Sequence, residues 1–159
     1  MSALIQPRES RTVEDLLRTG QLTRVLADTD LATGLLDVAR GRLRSAGRAL
    51  DALDLGECAS PLWDATRLAC TAVLQAEGLR THGEGHHVTV VEAVAEQYGH
   101  LLGGLLRPAR RLRETRREAQ YPTRLDTMRP NAADLAEDLD TITQLVDAVA
   151  KLLPHVPVY

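Results

Sequence analysis

The stretch Val88-Thr89-Val90-Val91-Glu92-Ala93-Val94-Ala95-Glu96-Gln97-Tyr98 decides the fold. Its β-branched opening has strand propensity. Yet Val88, Val91, Val94, Ala95 and Tyr98 recur at three- and four-residue steps, the spacing of one helix face. No partner strand is apparent elsewhere in the chain, so the helical reading is preferred and the protein is expected to be all-α.

The flanking segments read the same way. From Asp30 onward, Ala32, Leu35, Leu36, Ala39, Leu43, Ala46, Leu50 and Leu53 form a helical stripe, with Arg40, Arg42, Arg44 and Arg48 mostly off it as a solvated face. Ser60-Pro61 suits a helix start and Gly78 a stop, with an alanine-rich stripe between them that permits close helix approach. Asn131 suits the cap of a last, acidic helix in which Leu135, Leu139, Ile142, Val146, Val149 and Leu153 keep a 4-3-4-3-4 rhythm up to Pro154. Near the start, Thr12 followed by Asp15 opens a short helix that Gly20 interrupts before Leu22–Leu26 continue it. The expected architecture is a mostly antiparallel bundle of five or six helices. Residues 1–29 form an N-terminal extension, 30–153 the bundle and 154–159 a tail, with 1–11 and 154–159 as loose ends.

Composition agrees. The 159 residues contain no Phe and one Trp, leaving Leu, Ala and Val to fill the interior. A formal charge of −3 supplies no global basic field, so any nucleic-acid contact must come from a local patch. Cys58 and Cys70 lack CxxC spacing and suit free thiols in a reducing cytoplasm. With no signal-peptide pattern and no run near ~18 apolar residues, a cytosolic protein without membrane association is expected.

The local patch is Leu105-Leu106-Arg107-Pro108-Ala109-Arg110-Arg111-Leu112-Arg113-Glu114-Thr115-Arg116-Arg117-Glu118-Ala119-Gln120-Tyr121-Pro122, with six arginines against two glutamates. Pro108 suits a first turn and Pro122 closes the helix at Tyr121. On this helix Leu105, Ala109, Leu112, Arg116 and Ala119 share one side, while Arg110, Arg113 and Arg117 turn away from it. Arg116 is thus an arginine on an apolar face. A guanidinium there needs a partner, which leaves two readings: a structural ion pair with an acid of the last helix such as Asp138, or a cleft in which Arg116 meets a phosphate with Tyr121 beside it.

His82, His86 and His87 are of the type that binds zinc, but their loop shows neither a full ligand set nor a second shell. His86 at a helix entrance is the preferred reading, and neither metal nor cofactor is expected. Motifs for dinucleotide binding, NTP hydrolysis, metalloprotease or serine-hydrolase chemistry are absent from the sequence.

Leu35-Leu36-x-x-Ala39 and Ala65-x-x-x-Ala69-x-x-Ala72, the Gly78-Leu79 turn with its histidine loop, and the arginine helix ending in Arg116-x4-Tyr121 together resemble a HEPN domain over roughly residues 30 to 153. The resemblance implies an all-α bundle and a homodimer. It also implies a metal-independent endoribonuclease or a toxin paired with a nucleotidyltransferase-type antitoxin. The family's characteristic element is an arginine followed four to six residues later by histidine; here Tyr121 stands in the histidine's place. A phenol with pKa near ~10 is a poor base at neutral pH but can donate a hydrogen bond to phosphate or stack on a base. Arg80-x5-His86 also fits the spacing, in another loop. The expected function is therefore a catalytically silent module that binds RNA, a nucleotide or a protein partner, with Arg110, Arg113 and Arg117 as its phosphate platform. The alternative is an active ribonuclease using Arg116 with Tyr121, assisted by His86 or His87, across a dimer cleft. The dimer surface is expected along the arginine helix and the Trp63 face.

Overall fold

The computed structural model describes residues 11–83, 85–120 and 131–159. Among these are six α-helices: α1 (Arg11–Arg18), α2 (Thr29–Asp51), α3 (Leu55–Glu77), α4 (His86–Leu102), α5 (Ala109–Gln120) and α6 (Ala132–Leu152). Two strands, β1 (Leu22–Arg24) and β2 (Leu79–Thr81), complete the regular structure with 3₁₀ turns at Gly103–Leu106 and Leu153–His155. The fold is a helical bundle, as the periodicities predict, and Val88–Val91 is helical.

The centre of the bundle is α3. It is apolar nearly all the way round, from Cys58, Ala59 and Leu62 to Val73 and Leu74, and a helix of that kind must be enclosed. α2, α4, α5 and α6 all pack on it. Its fullest neighbour is α2, whose buried stripe is Ala32, Leu36, Ala39, Leu43 and Ala46. Three alanines there facing a helix that buries Ala65, Ala69 and Ala72 let the two backbones approach closely. Asp28 caps α2 by accepting from the Leu31 amide at 2.9 Å, and Asn131 caps α6 by accepting from Ala133 at 2.7 Å.

Three expectations are corrected. First, α3 begins at Leu55, so Pro61 lies in its second turn and not at its start; burial of Cys58 and Ala59 holds the earlier turn in place despite the missing proline N–H. Second, Leu22–Arg24 is a strand, not a continuation of the first helix. Gly20 takes φ +77° and redirects the chain, and β1 pairs antiparallel with β2 in the register Leu22↔Thr81, Thr23↔Arg80, Arg24↔Leu79. Leu22 and Leu79 put this small sheet into the same core as the helices.

Third, residues 154–159, expected as a loose end, are tied down at Tyr159. The Tyr159 amide donates to the Glu77 carbonyl at 3.0 Å, while Arg24 donates to the Tyr159 main-chain oxygen at 2.6 Å and lies 5.2 Å over its ring. Between α3 and β2, Gly78 adopts φ +78°, and a Cβ there would come within 2.7 Å of the Val25 carbonyl oxygen. Beside this junction the core holds a polar group. Glu77 accepts from Gln97 Nε2 at 3.1 Å, yet Glu77 Oε2, Gln97 Oε1 and the Tyr98 hydroxyl are buried without partners.

Candidate phosphate-binding site

α5 is positioned by Ala109 and Leu112, which bury against α3. The same periodicity carries Arg116 inward: it is half-buried, as its place on the apolar face predicts. The expected partner, Asp138, is taken by another arginine. Arg111 grips it with two hydrogen bonds of 2.6 Å each, and Asp138 is 3% exposed. Arg111 points toward α6 because it sits one residue before Leu112, which faces the core. Arg116 makes neither an ion pair nor a hydrogen bond among the described residues, and its Nε is buried without a partner.

Among the described residues Arg116 lies near His87, within reach of the same ring as Arg67. His87 titrates below the ordinary imidazole range, first because it is desolvated, then because His86, Arg67 and Arg116 all oppose a second proton there; Asp64 works weakly the other way. Arg67 and Asp64 are an i,i+3 pair on α3, Nη2 to Oδ1 3.5 Å, and both side chains are about three-quarters covered. His86 and His87 open α4 with ring centroids 3.7 Å apart, and the Nδ1 of His86 lies 3.2 Å from the Gly83 carbonyl oxygen. Three helices therefore deliver two guanidiniums and a neutral imidazole to one place, with Asp64 the carboxylate that acts against them on His87 among the described residues. Such a cluster favours an incoming anion.

Next to it runs a hollow of about 460 Å³ between α4 and the beginning of α5. Its walls are Trp63, Val88, Val91 and Leu106, with Arg107, Arg110 and Arg113 on one rim and Glu92 among the lining residues. Val88 directly follows His87, and Arg113 lies one turn before Arg116, so hollow and cluster are neighbours on the same two helices, although neither His87 nor Arg116 lines the hollow. Arg110 is held loosely by Glu114 at 3.3 Å, with both side chains exposed. Arg113 and Arg117 are exposed and form no ion pair among the described residues. An apolar slot with an arginine rim suits a base and its phosphates.

The structure thus brings together Arg116, His86 and His87, and places Arg110 and Arg113 beside them. Tyr121 lies outside the described residues. Trp63 is 2% exposed, a wall of the hollow and not an open surface. His82 is directed elsewhere, 2.7 Å from the Thr23 hydroxyl. Sequence reasoning missed Arg67 and Asp64. The available signal was an Asp-x-x-Arg step on a helix otherwise filled with apolar residues. No described helix is long and apolar enough to cross a membrane. Neither the models of known families, nor curated proteins, nor solved structures give a match to this chain.

Proposed function

We propose that this protein is a HEPN-like helical module that binds RNA or a nucleotide through its phosphates, in the hollow between α4 and α5, without being a competent nuclease of that family's usual kind. The carrying observation is Arg116: a half-buried guanidinium with an unpartnered Nε, beside Arg67 and a neutral His87. A buried cation of this sort is costly unless an anion completes it. Arg107, Arg110 and Arg113 then hold neighbouring phosphates by charge, and the slot along Val88, Val91 and Leu106 receives an apolar base face. In this reading the protein acts in a toxin–antitoxin or defence system, as a homodimer or with a nucleotidyltransferase-type partner.

One observation favours a second reading, a metal-independent endoribonuclease. A neutral imidazole can accept the proton of a ribose 2′-hydroxyl as that oxygen attacks the adjacent phosphorus, and Arg116 can hold the phosphate as charge builds on it. The leaving 5′-oxygen then needs a proton, which His86 or Tyr121 would supply. His87, not Tyr121 alone, is the base in that scheme.

Fluorescence anisotropy with a labelled single-stranded RNA tests the first reading. Wild-type protein binds with a strong salt dependence, Arg116→Ala weakens binding about tenfold, and changing Arg110, Arg113 and Arg117 together to Ala flattens the salt slope. Binding indifferent to all four arginines overturns it. Incubation of the same RNA without metal separates the readings: cleavage lost in His87→Ala and Arg116→Ala establishes the nuclease, and intact RNA establishes the binding module.

A further inference from the structure

The hollow between α4 and α5 holds one residue that a phosphate platform does not use. Glu92 lies on α4 one turn after Val88, so it shares a side of that helix with Val88 and Val91 and borders the hollow with them. Its exposed side chain forms neither an ion pair nor a hydrogen bond among the described residues, although Arg107, Arg110 and Arg113 border the same hollow. The local sequence explains this. Arg110 has its own acid one turn on, Glu114 at 3.3 Å, and Arg107 folds back over Gly104, its Nη2 3.4 Å from where a Cβ would stand there. A carboxylate near three guanidiniums weakens their hold on an anion, so a site for phosphate alone would do better without Glu92.

We propose that Glu92 reads the base, and that the base is guanine: the ring lies along Val88, Val91 and Leu106 while its N1–H and N2 amine donate to the Glu92 carboxylate. This rests on the reading of the hollow as a base-and-phosphate site and adds which base it takes. The volume of about 460 Å³ lies within the roughly 300–1,000 Å³ of small-ligand sites and suits one nucleotide unit. Val88, Val91 and Leu106 are half-buried, so each leaves apolar surface open to a flat ring.

The chemistry of the base edge makes the choice. Guanine alone among the four RNA bases presents two donors side by side, which match the two oxygens of a carboxylate. Adenine and cytosine set a ring-nitrogen acceptor beside their amine, and uracil has one N–H between two carbonyls; a carboxylate repels each of those acceptors. The hollow is polarised in the same sense as a guanine nucleotide. Its acid stands on α4 and its arginines on or just before α5, one wall for the donors of the base edge and one for the phosphate.

Isothermal titration calorimetry of the full chain tests this with GMP, IMP, AMP, inorganic phosphate and two short single-stranded RNAs that differ only in a central guanine or adenine. GMP should bind about tenfold tighter than AMP, and IMP, which lacks the N2 amine, should lose most of that margin. Glu92→Ala should bring GMP down to the level of AMP, while AMP and inorganic phosphate bind as before or more tightly. An unchanged melting curve is expected, since the position is exposed on a helix and alanine is a good helix former. A guanine preference in the RNA pair assigns the base to a chain, and one confined to the mononucleotides assigns it to a free nucleotide. Guanine and adenine probes that bind alike, IMP as tight as GMP, or a preference that survives Glu92→Ala overturns the role of Glu92 and leaves the phosphate reading standing. Failure of every probe to bind the wild type overturns the phosphate reading and this inference with it.

Discussion

Replacing Glu77 by Gln should stabilise the fold at neutral and alkaline pH and leave it unchanged in acid. Burial pushes the Glu77 carboxyl from its ordinary 4.5 up to about 8, only partly offset by the hydrogen bond from Gln97. In the folded chain the group therefore keeps its proton to about pH 8, whereas in the unfolded chain it loses it near 4.5. Below pH 4.5 both states are protonated and Glu77 costs nothing. Between 4.5 and 8 the unfolded state binds fewer protons than the folded state, so stability falls as pH rises, by about 1.4 kcal/mol per unit. Over the whole interval the loss reaches at most roughly 5 kcal/mol, and relaxation around the carboxylate brings the observable part to a few kcal/mol. Glutamine has the same shape and no charge. Its amide can still accept from Gln97 and can donate to the Gln97 Oε1 that now lacks a partner. Urea unfolding of wild type and Glu77→Gln at pH 5, 7 and 9 measures the difference, which should widen with pH and level off above 8. Two curves that stay parallel across this range would refute the reasoning.

Three further outcomes follow from the same structure. Arg111→Ala strips both hydrogen bonds from an Asp138 carboxylate that is almost fully buried and should cost about 3 kcal/mol in a thermal melt, whereas Arg113→Ala, an exposed neighbour, should cost under about 0.5. Gly78→Ala forces a side chain into a positive-φ position against the Val25 carbonyl and should cost about 2–3 kcal/mol in chemical denaturation. The His87 ring should titrate below 6.5 by NMR, its midpoint rising toward that value in Arg116→Ala as one opposing charge is removed.

The sequence was most legible where a helix has one wet and one dry face. α2 and α6 follow their periodicities, down to the Asn131 cap. The inward turn of Arg116 was legible for the same reason, since it shares a helical face with Ala109 and Leu112. Periodicity says little about α3, which is apolar around most of its circumference, so Pro61 became the signal for its start and misplaced it. The β1–β2 pair left no trace because three-residue strands are too short to show alternation and their partners lie far apart in the chain. Which of several arginines meets Asp138 depends on how α5 is rotated against α6, a tertiary matter. Arg111 and Arg116 differ by five positions, more than one turn, and only the packing of Leu112 decides between them. Likewise the meeting of His87 with Arg116 and Arg67 arises from three helices that no local pattern connects.

The most direct test of the anion site is to follow the His87 ring by NMR while a short single-stranded RNA is added at constant pH. If a phosphate settles among Arg116, Arg67 and His87, its negative charge offsets the guanidiniums, so the His87 midpoint rises on binding and the response disappears in Arg116→Ala. A His87 signal that ignores RNA at saturating concentration, or that shifts equally without the Arg116 guanidinium, would contradict the account.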